Sequence, residues 1–169
     1  MKGKSNLEKE LVDFIINNKD DFYRLAYSYV KNSEDAVDIL QDSIHKAISS
    51  KDKLKNEQSL KSWFYRIVVN TSLDFLRKQK KVTVMDEETI ELYSSGQDDN
   101  YTDIDLERSL ESLPTKYRAV IVLRYFEDLK IEEVAEILQE SPNTIKTRLY
   151  KALEILRIKM KWIYFWEAN

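Results

Sequence analysis

Apolar residues recur every three or four positions along most of the chain, which is the spacing of one face of an α-helix. The pattern predicts helices over residues 7–30, 34–49, 59–79, 105–113 and 117–124, and a helix pair over 131–156. Ser33 is placed to cap the helix over 34–49. The chain has only two glycines and two prolines, which are too few for the many tight turns of a β-sandwich or an α/β sheet. The fold is therefore predicted to be all-α.

Residues 131–156 read as two helices separated by a sharp turn. Gln139 and Glu140 fill the turn, Ser141 is placed to cap the second helix, and Pro142 suits its first position, where a backbone N–H would be unpaired anyway. One face of the second helix is apolar and the other is basic and hydrogen-bonding. That second face carries Asn143, Thr144, Lys146, Thr147, Arg148 and Lys151. Such a helix suits a helix-turn-helix, in which cations contact phosphates and short polar groups contact base edges.

Residues 82–104 interrupt the helical pattern. They show no sustained period, and positions 86–104 contain seven acidic residues and no basic one. A flexible acidic linker is therefore predicted here. It would join two small helical domains, residues 1–81 and residues 105–169.

The formal net charge of −3 hides an uneven distribution. Positions 142–161 carry six Lys or Arg residues and one Glu, a local charge of +5. Because the charge of a binding surface is local, the near-neutral total does not argue against a nucleic-acid partner.

Several classes of site and location are disfavoured by composition. The chain has no cysteine and one histidine, His45, so neither a metal site nor a thiolate nucleophile is expected. No catalytic constellation or phosphate-binding glycine loop occurs, so no enzymatic activity, cofactor or small-molecule substrate is expected. The absence of a long apolar run or a signal core favours a cytoplasmic location.

The C-terminal sequence resembles a known family. From Leu113, LPTKYRAVIVLRYFEDLKIEEVAEILQESPNTIKTRLYKALEILR resembles region 4 of the extracytoplasmic-function sigma factors, bacterial initiation factors of the sigma-70 family. The Leu-Pro pair, Tyr117-Arg118, Glu133-Val134-Ala135 and the segment 141–148 carry the likeness. Asn143 departs from it, since the family often has glycine there.

The N-terminal half supplies an independent resemblance. SWFYRIVVNTSLDFLRKQKK, residues 62–81, resembles family region 2.3–2.4, and NSEDAVDILQDSIHKAI, from Asn32, resembles region 2.2. Two matches in family order on either side of a linker are far more specific than one. They imply two domains, a region 2 bundle and a region 4 helix-turn-helix.

The resemblance implies a sigma factor that directs promoter-specific transcription initiation. The six polar residues of the second helix in 131–156 would read the −35 duplex. Melted −10 DNA would contact the loop and helix of region 2, through Lys55, Asn56, Ser59, Lys61, Trp63, Arg66, Arg77, Lys78, Lys80 and Lys81. For Trp63 and its neighbour Phe64, burial tendencies alone favour a core position over base stacking by about two to one.

The resemblance also implies protein partners. The core RNA polymerase would bind through its β′ clamp helices and its β flap. On this chain the clamp contact is expected at Asp35, Asp38, Gln41 and Asp42. An anti-sigma factor is expected as a further partner. Attachment to such a partner would hold the chain at the membrane, as an alternative to a free cytoplasmic location.

Two other functions remain open at this point. A stand-alone helix-turn-helix regulator would bind operator DNA without a polymerase, with residues 1–85 as a sensor or dimerisation domain. A helical adaptor would bind no DNA at all, and the basic second helix argues against it. Two interpretations also remain open for Arg118 and Arg124: contact with DNA phosphates, or the ordinary charges of a helix surface.

Overall fold

The computed structural model describes residues 2–85, 106 and 108–167, with side chains for 6–82, 106 and 108–159. The described residues are nearly all helical and include no strand. The all-α prediction is therefore confirmed. The predicted linker, apart from residues 82–85, lies outside the described residues.

Four helices form the N-terminal unit. They are α1 (Lys2–Asn17), α2 (Lys19–Val30), α3 (Ser33–Ser49) and α4 (Leu60–Met85). Two 3₁₀ turns, Lys51–Lys53 and Glu57–Ser59, join α3 to α4. The helix α4 runs to Met85, so residues 82–85 continue it rather than begin a linker.

Aromatic rings fill the centre of the N-terminal unit. Phe22 of α2 and Phe64 of α4 are fully buried, and their ring centroids lie 4.5 Å apart at 68°. Phe14 of α1 lies 5.5 Å from Phe22. Edge-to-face pairs of this kind contribute about 0.5–1.5 kcal/mol beyond the burial of their area. The aromatic cluster therefore fixes α4 against α1 and α2.

Side-chain hydrogen bonds cap the end of α1 and the start of α3. The predicted helix over 7–30 is divided at Asn18, whose side-chain amide donates to the carbonyl of Phe14 at 2.8 Å. The predicted Ser33 cap is wrong by one residue. Asn32 is the cap, because its side-chain oxygen accepts the N–H of Asp35 at 3.0 Å.

The C-terminal unit contains three helices and one wide turn. After a helical segment at 108–111 come α5 (Thr115–Ile121), a π-helical turn (Val122–Phe126), α6 (Ile131–Leu138) and α7 (Pro142–Glu167). The core between them is apolar, and Leu123, Ile137 and Ile145 are among its largest fully buried members. This core fixes the angle between α6 and α7.

The two units are packed together, which the sequence did not predict. Their buried apolar residues form one continuous cluster. At the junction the Arg118 guanidinium of α5 donates through Nε to the carbonyl of Ser28 at the end of α2. Lys31 donates to the carbonyl of Glu111 across the same junction. In this closed arrangement the C-terminal unit rests on α2 and α4.

Candidate nucleic-acid interface

The helices α6 and α7 form the predicted helix-turn-helix. Gln139 ends α6 in the left-handed conformation (φ 55°), which reverses the chain within two residues. Ser141 then caps α7, since its Oγ accepts the N–H of Thr144 at 3.1 Å. The helix begins at Pro142, where a missing N–H costs nothing. The expected cap and first residue of α7 are confirmed.

The polar face of α7 points away from the core. Ile145, Leu149 and Ala152 are buried on the opposite side. The six predicted contact residues, here called the recognition face, are exposed or half-buried. The exposed ones are Asn143, Lys146, Thr147 and Lys151, and the half-buried ones are Thr144 and Arg148. The structure thus brings all six together on one accessible surface.

Arg148 has an acidic neighbour within the motif. Its Nη2 lies 2.6 Å from Oε1 of Glu140, the residue before the Ser141 cap. The pair links the turn to the second turn of α7 and limits the rotamers of the arginine. A guanidinium held in this way reaches a ligand with less loss of side-chain entropy.

Five of the six recognition-face residues, all but Lys146, line an open groove between α5 and α7. Lys116 and Tyr117 line its α5 side, and Tyr150 and Arg157 extend it along α7. None of these four residues was predicted to contact DNA. For Tyr150 a signal existed, since it follows Asn143 by seven positions and so shares its helix face. The side chain of Tyr150 is 72% exposed, an unusual position for a ring without a partner molecule.

A second basic surface runs along α4. One face of α4 carries Trp63, Arg66, Arg77 and Lys81. These residues are spaced by three, eleven and four positions, and each spacing is close to a whole number of helical turns. Trp63 and Arg66 are half-buried, whereas Arg77 and Lys81 are exposed. Phe64 is fully buried, so the interpretation of this residue as core is confirmed.

The remaining −10 candidates flank that surface. Lys55 and Asn56 are exposed between the two 3₁₀ turns, and the Asn56 side chain caps the second turn by accepting the N–H of Ser59 at 2.9 Å. Lys78 and Lys80 are exposed near the end of α4. Lys61 lies about 160° round the helix from Trp63. Lys61 therefore lies apart from the basic face of α4.

Two arginines donate hydrogen bonds to backbone carbonyls of the protein itself. Arg66 donates through Nη2 to the carbonyl of Glu136 on α6 at 2.9 Å. Arg118 is only 3% exposed and donates to the carbonyls of Glu111 and Leu113 at 2.9 Å each. Burial lowers the pKa of the Arg118 guanidinium, although Glu111 opposes the shift. The interpretation of Arg118 as a phosphate contact is therefore wrong for this arrangement.

The acidic residues of α3 form a third surface. Asp38, Gln41 and Asp42 are exposed, and Asp35 is half-buried on the same face. Burial raises the pKa of the Asp35 carboxyl, and the charges of Asp38 and Glu34 raise it further. Asp42 forms an ion pair with Lys46 at 3.1 Å. The face presents accessible carboxylates for a basic partner.

Neither a metal-binding cluster nor a membrane-spanning helix occurs in the described part of the chain. No group of three or more His, Asp or Glu side chains is arranged there to hold a metal ion. None of the described helices is long and apolar enough to cross a membrane.

Both halves of the chain match family models. Residues 14–82 match the model of sigma-70 region 2, and residues 103–156 match that of sigma-70 region 4. The RNA polymerase sigma factor SigV of Bacillus subtilis is 56% identical over 160 residues, covering 95% of this chain and 96% of the relative. The extracytoplasmic-function sigma factor SigW of the same organism is 32% identical, covering 95% and 92%.

Solved structures share the fold. The sigma factor RpoE of Bartonella quintana, crystallised with the anti-sigma factor NepR, superposes with a TM-score of 0.80 at 22% identity, covering 90% of this chain and 98% of that one. CnrH, in complex with the cytosolic domain of CnrY, gives a TM-score of 0.69 at 20% identity, covering 95% and 93%.

Proposed function

Since the chain belongs to the sigma-70 family, in its extracytoplasmic-function group, we propose that its two units contact two elements of one promoter through the surfaces described above. The chain is a sigma factor, which binds core RNA polymerase and directs promoter-specific initiation of transcription. The observation that carries this function is the match of both family regions, in order, along one chain.

Region 4 would read the −35 element as duplex DNA. The recognition face of α7 would enter the major groove, which accommodates one α-helix. Asn143, Thr144 and Thr147 offer short hydrogen-bonding groups for base edges, and Lys146 and Lys151 offer cations for phosphates. Arg148, held by Glu140 at 2.6 Å, suits bidentate contact with a guanine.

Region 2 would bind the melted −10 strand. Single-stranded DNA is bound by a positive track with aromatic or apolar surfaces beside it. The basic face of α4 would provide the track, and Trp63 lies at its beginning, close to the 3₁₀ turn that Asn56 caps and that ends at Ser59. An extruded base needs a pocket with polar groups at its edge, which these turns supply.

The acidic face of α3 would bind the polymerase. Asp38, Gln41 and Asp42 are exposed and would meet the β′ clamp helices, while region 4 would meet the β flap. Bond formation would remain with the polymerase, so the chain itself would not be an enzyme and would need no cofactor or small-molecule substrate. It would act in the bacterial cytoplasm, where polymerase and DNA are found.

An anti-sigma factor would be a further partner. The structure of RpoE that shares this fold was determined with the anti-sigma factor NepR bound, and that of CnrH with the cytosolic domain of CnrY bound. A partner of that kind would also allow the chain to be held at the membrane.

Run-off transcription tests the proposed function. Core polymerase with the full chain should give discrete transcripts from genomic fragments, and mapped start sites should share a −35 and a −10 element. A stand-alone operator-binding regulator would give none. Arg148→Ala should weaken use of the −35 element by about 1–3 kcal/mol and relax its specificity at one position. Lys130→Ala, at an exposed position just before α6, is the control. An unchanged −35 consensus with Arg148→Ala would remove that residue from the interface.

A further inference from the structure

The junction between the two units contains a cavity of about 190 Å³. One wall is formed by Arg24, Tyr27 and Ser28 of α2 and by Lys31 just after the end of that helix. The opposite wall is formed by the segment 108–111, by α5 and by the π-helical turn. Both units therefore contribute to the cavity, which lies apart from the surfaces assigned above to DNA and to the polymerase.

The interior of the cavity is mainly apolar. Leu110, Val122 and Phe126 line it from the C-terminal unit, and Tyr27 lines it from α2. Phe126 is 43% exposed, which is unusual for a phenylalanine. Protein interiors leave few voids larger than a water molecule, and water finds few partners between apolar walls. The walls thus offer apolar surface that the chain itself leaves uncovered.

The volume of the cavity limits the size of a suitable ligand. An apolar protein cavity of about 150 Å³ binds benzene, and one water molecule takes up about 30 Å³ of the liquid. A cavity of about 190 Å³ therefore has room for one six-membered ring with a small substituent. Drug-sized ligands occupy pockets of about 300–1,000 Å³ and are too large for it.

The lining of the cavity is basic. It includes the cations of Arg24, Lys31 and Arg118 and one carboxylate, that of Glu111. Arg118 is buried and already donates to three backbone carbonyls, among them those of Ser28 and Glu111. It therefore contributes positive charge to the cavity but no free donor.

Arg24 lies at the other end of the α2 wall from Lys31. Its guanidinium donates to Oε1 of Glu127 at 3.3 Å and lies 5.7 Å from the centre of the Phe126 ring. The side chain of Glu127 is 1% exposed, and its Oε2 also accepts the hydroxyl of Tyr65 at 3.0 Å. Arg24 is thus already paired with a carboxylate.

Lys31 is the cation that a ligand can reach. It is exposed, and its ammonium donates to the neutral backbone carbonyl of Glu111. Partial burial lowers the pKa of this ammonium, and the charges of Arg118 and Lys159 lower it further against the opposing charge of Glu111. An anion beside Lys31 would offset the repulsion from these two cations.

We infer that this cavity is a binding site for a small aromatic carboxylate. The ring of the ligand would lie among Tyr27, Leu110, Val122 and Phe126, and its acid group would accept a charge-assisted hydrogen bond from Lys31. Binding of such an acid needs neither DNA nor polymerase, so it does not depend on the proposed function.

Binding at this site would be linked to the packing of the two units. Lys31 comes from one unit and most of the apolar wall from the other, so the complete site exists only where they face each other. A ligand present at tenfold its Kd would shift the equilibrium toward that arrangement by about elevenfold. A cellular aromatic acid would thereby act as an effector of the chain.

NMR titration of the full chain with benzoate tests the site. Benzoate carries the ring and the charge, benzyl alcohol the ring alone, and acetate the charge alone. At constant ionic strength, benzoate should shift the backbone amides of 28–31 and 122–126 and reach saturation in the millimolar range or below. Benzyl alcohol should bind about fivefold more weakly, since an exposed ion pair contributes modestly, and acetate should give no saturable shift.

Substitutions separate the contribution of the charge from that of the cavity. Lys31→Gln should weaken benzoate binding by about fivefold and leave benzyl alcohol binding unchanged, whereas Lys31→Arg should retain both. Lys19→Gln, at an exposed position at the start of α2, is the matched control and should change neither affinity. Leu110→Trp enlarges a half-buried side chain of the cavity wall and should weaken both ligands.

The parent chain and the Lys31 variants decide the outcome even if Leu110→Trp fails to fold, which circular dichroism would reveal. Three results would overturn the inference: no saturable benzoate shift, shifts confined to residues outside 28–31 and 108–126, or equal benzoate affinity in the parent and Lys31→Gln. Acetate binding as strong as benzoate binding would also overturn it, because the apolar walls would then contribute nothing.

Discussion

Replacement of Arg118 by methionine should destabilise the protein strongly. Methionine keeps much of the apolar length of the side chain but donates no hydrogen bond. Two bonds of 2.9 Å would be lost, a part-buried one to the carbonyl of Glu111 and a buried one to the carbonyl of Leu113, together with the bond to Ser28 that crosses between the units. Hydrogen bonds to charged groups contribute about 1.5–3 kcal/mol each, so the bonds to Glu111 and Leu113 alone represent roughly 3–6 kcal/mol.

Part of that loss is offset. Arg118 is 3% exposed, and removal of a buried charge also removes the cost of keeping it out of water. We therefore expect a net loss of about 2–4 kcal/mol in the free energy of unfolding. For a chain of this size, with a denaturant slope of roughly 2 kcal/mol per molar urea, the midpoint should fall by about 1–2 M.

Urea titration followed by circular dichroism measures this shift. Lys116→Met, an exposed change on the same helix, is the matched control and should move the midpoint little. Arg118→Lys should fall between the parent and Arg118→Met, because an ammonium carries the charge but cannot bond three separated carbonyls equally well. If the free energy of unfolding of Arg118→Met lies within about 0.5 kcal/mol of that of the control, then water satisfies these carbonyls and the network around Arg118 is not stabilising.

Three other predictions concern pH, backbone strain and the polymerase contact. Because burial raises the pKa of the Glu127 carboxyl in the folded chain, the folded chain binds more protons than the unfolded chain above the ordinary glutamate pKa of about 4.3. The free energy of unfolding should therefore lose this contribution as pH rises through the window up to the raised pKa, and urea titrations of Glu127→Gln should lack this dependence. Gln139→Gly should stabilise the chain by about 0.5–1 kcal/mol, seen as a higher melting temperature, since glycine adopts a φ of 55° without strain. An unchanged or lower melting temperature would mean that the glutamine side chain contributes more than the strain costs. Asp38→Lys should slow binding to core polymerase roughly tenfold at low salt, whereas Asp13→Lys on α1 should not; equal rates would favour a merely solvated α3 face.

The local elements could be predicted from the sequence because their signals are local. The spacing of apolar residues located the helices, and Ser141 followed by Pro142 located the start of α7. The exposure of the recognition face followed from the same periodicity. The misassigned cap at Ser33 differs by one residue because Asn32 has the same chemistry in the adjacent position.

The packing of one unit on the other could not be predicted in this way. Glu127 lies 103 residues from Arg24 and 62 from Tyr65, and nothing in the local sequence pairs them. Arg118 looked like an exposed cation because arginine usually is one, and only the fold reveals the carbonyls that surround it. The assignments of individual residues to the −35 element, the −10 strand and the polymerase remain predictions.

The π-helical turn has a consequence for how the two units are set against each other. At Glu127 the backbone N–H donates to the carbonyl of Val122, five residues back, at 3.0 Å, so this turn contains one residue more than an α-turn. One residue corresponds to about 100° of rotation and 1.5 Å of advance along a helix. Deletion of a single residue within 122–126 would therefore swing the carboxylate away from α2 and α4 while leaving every side chain of α7 unchanged. The contact between the units thus depends on this extra residue, whereas the recognition face of α7 does not, and the two properties can change separately.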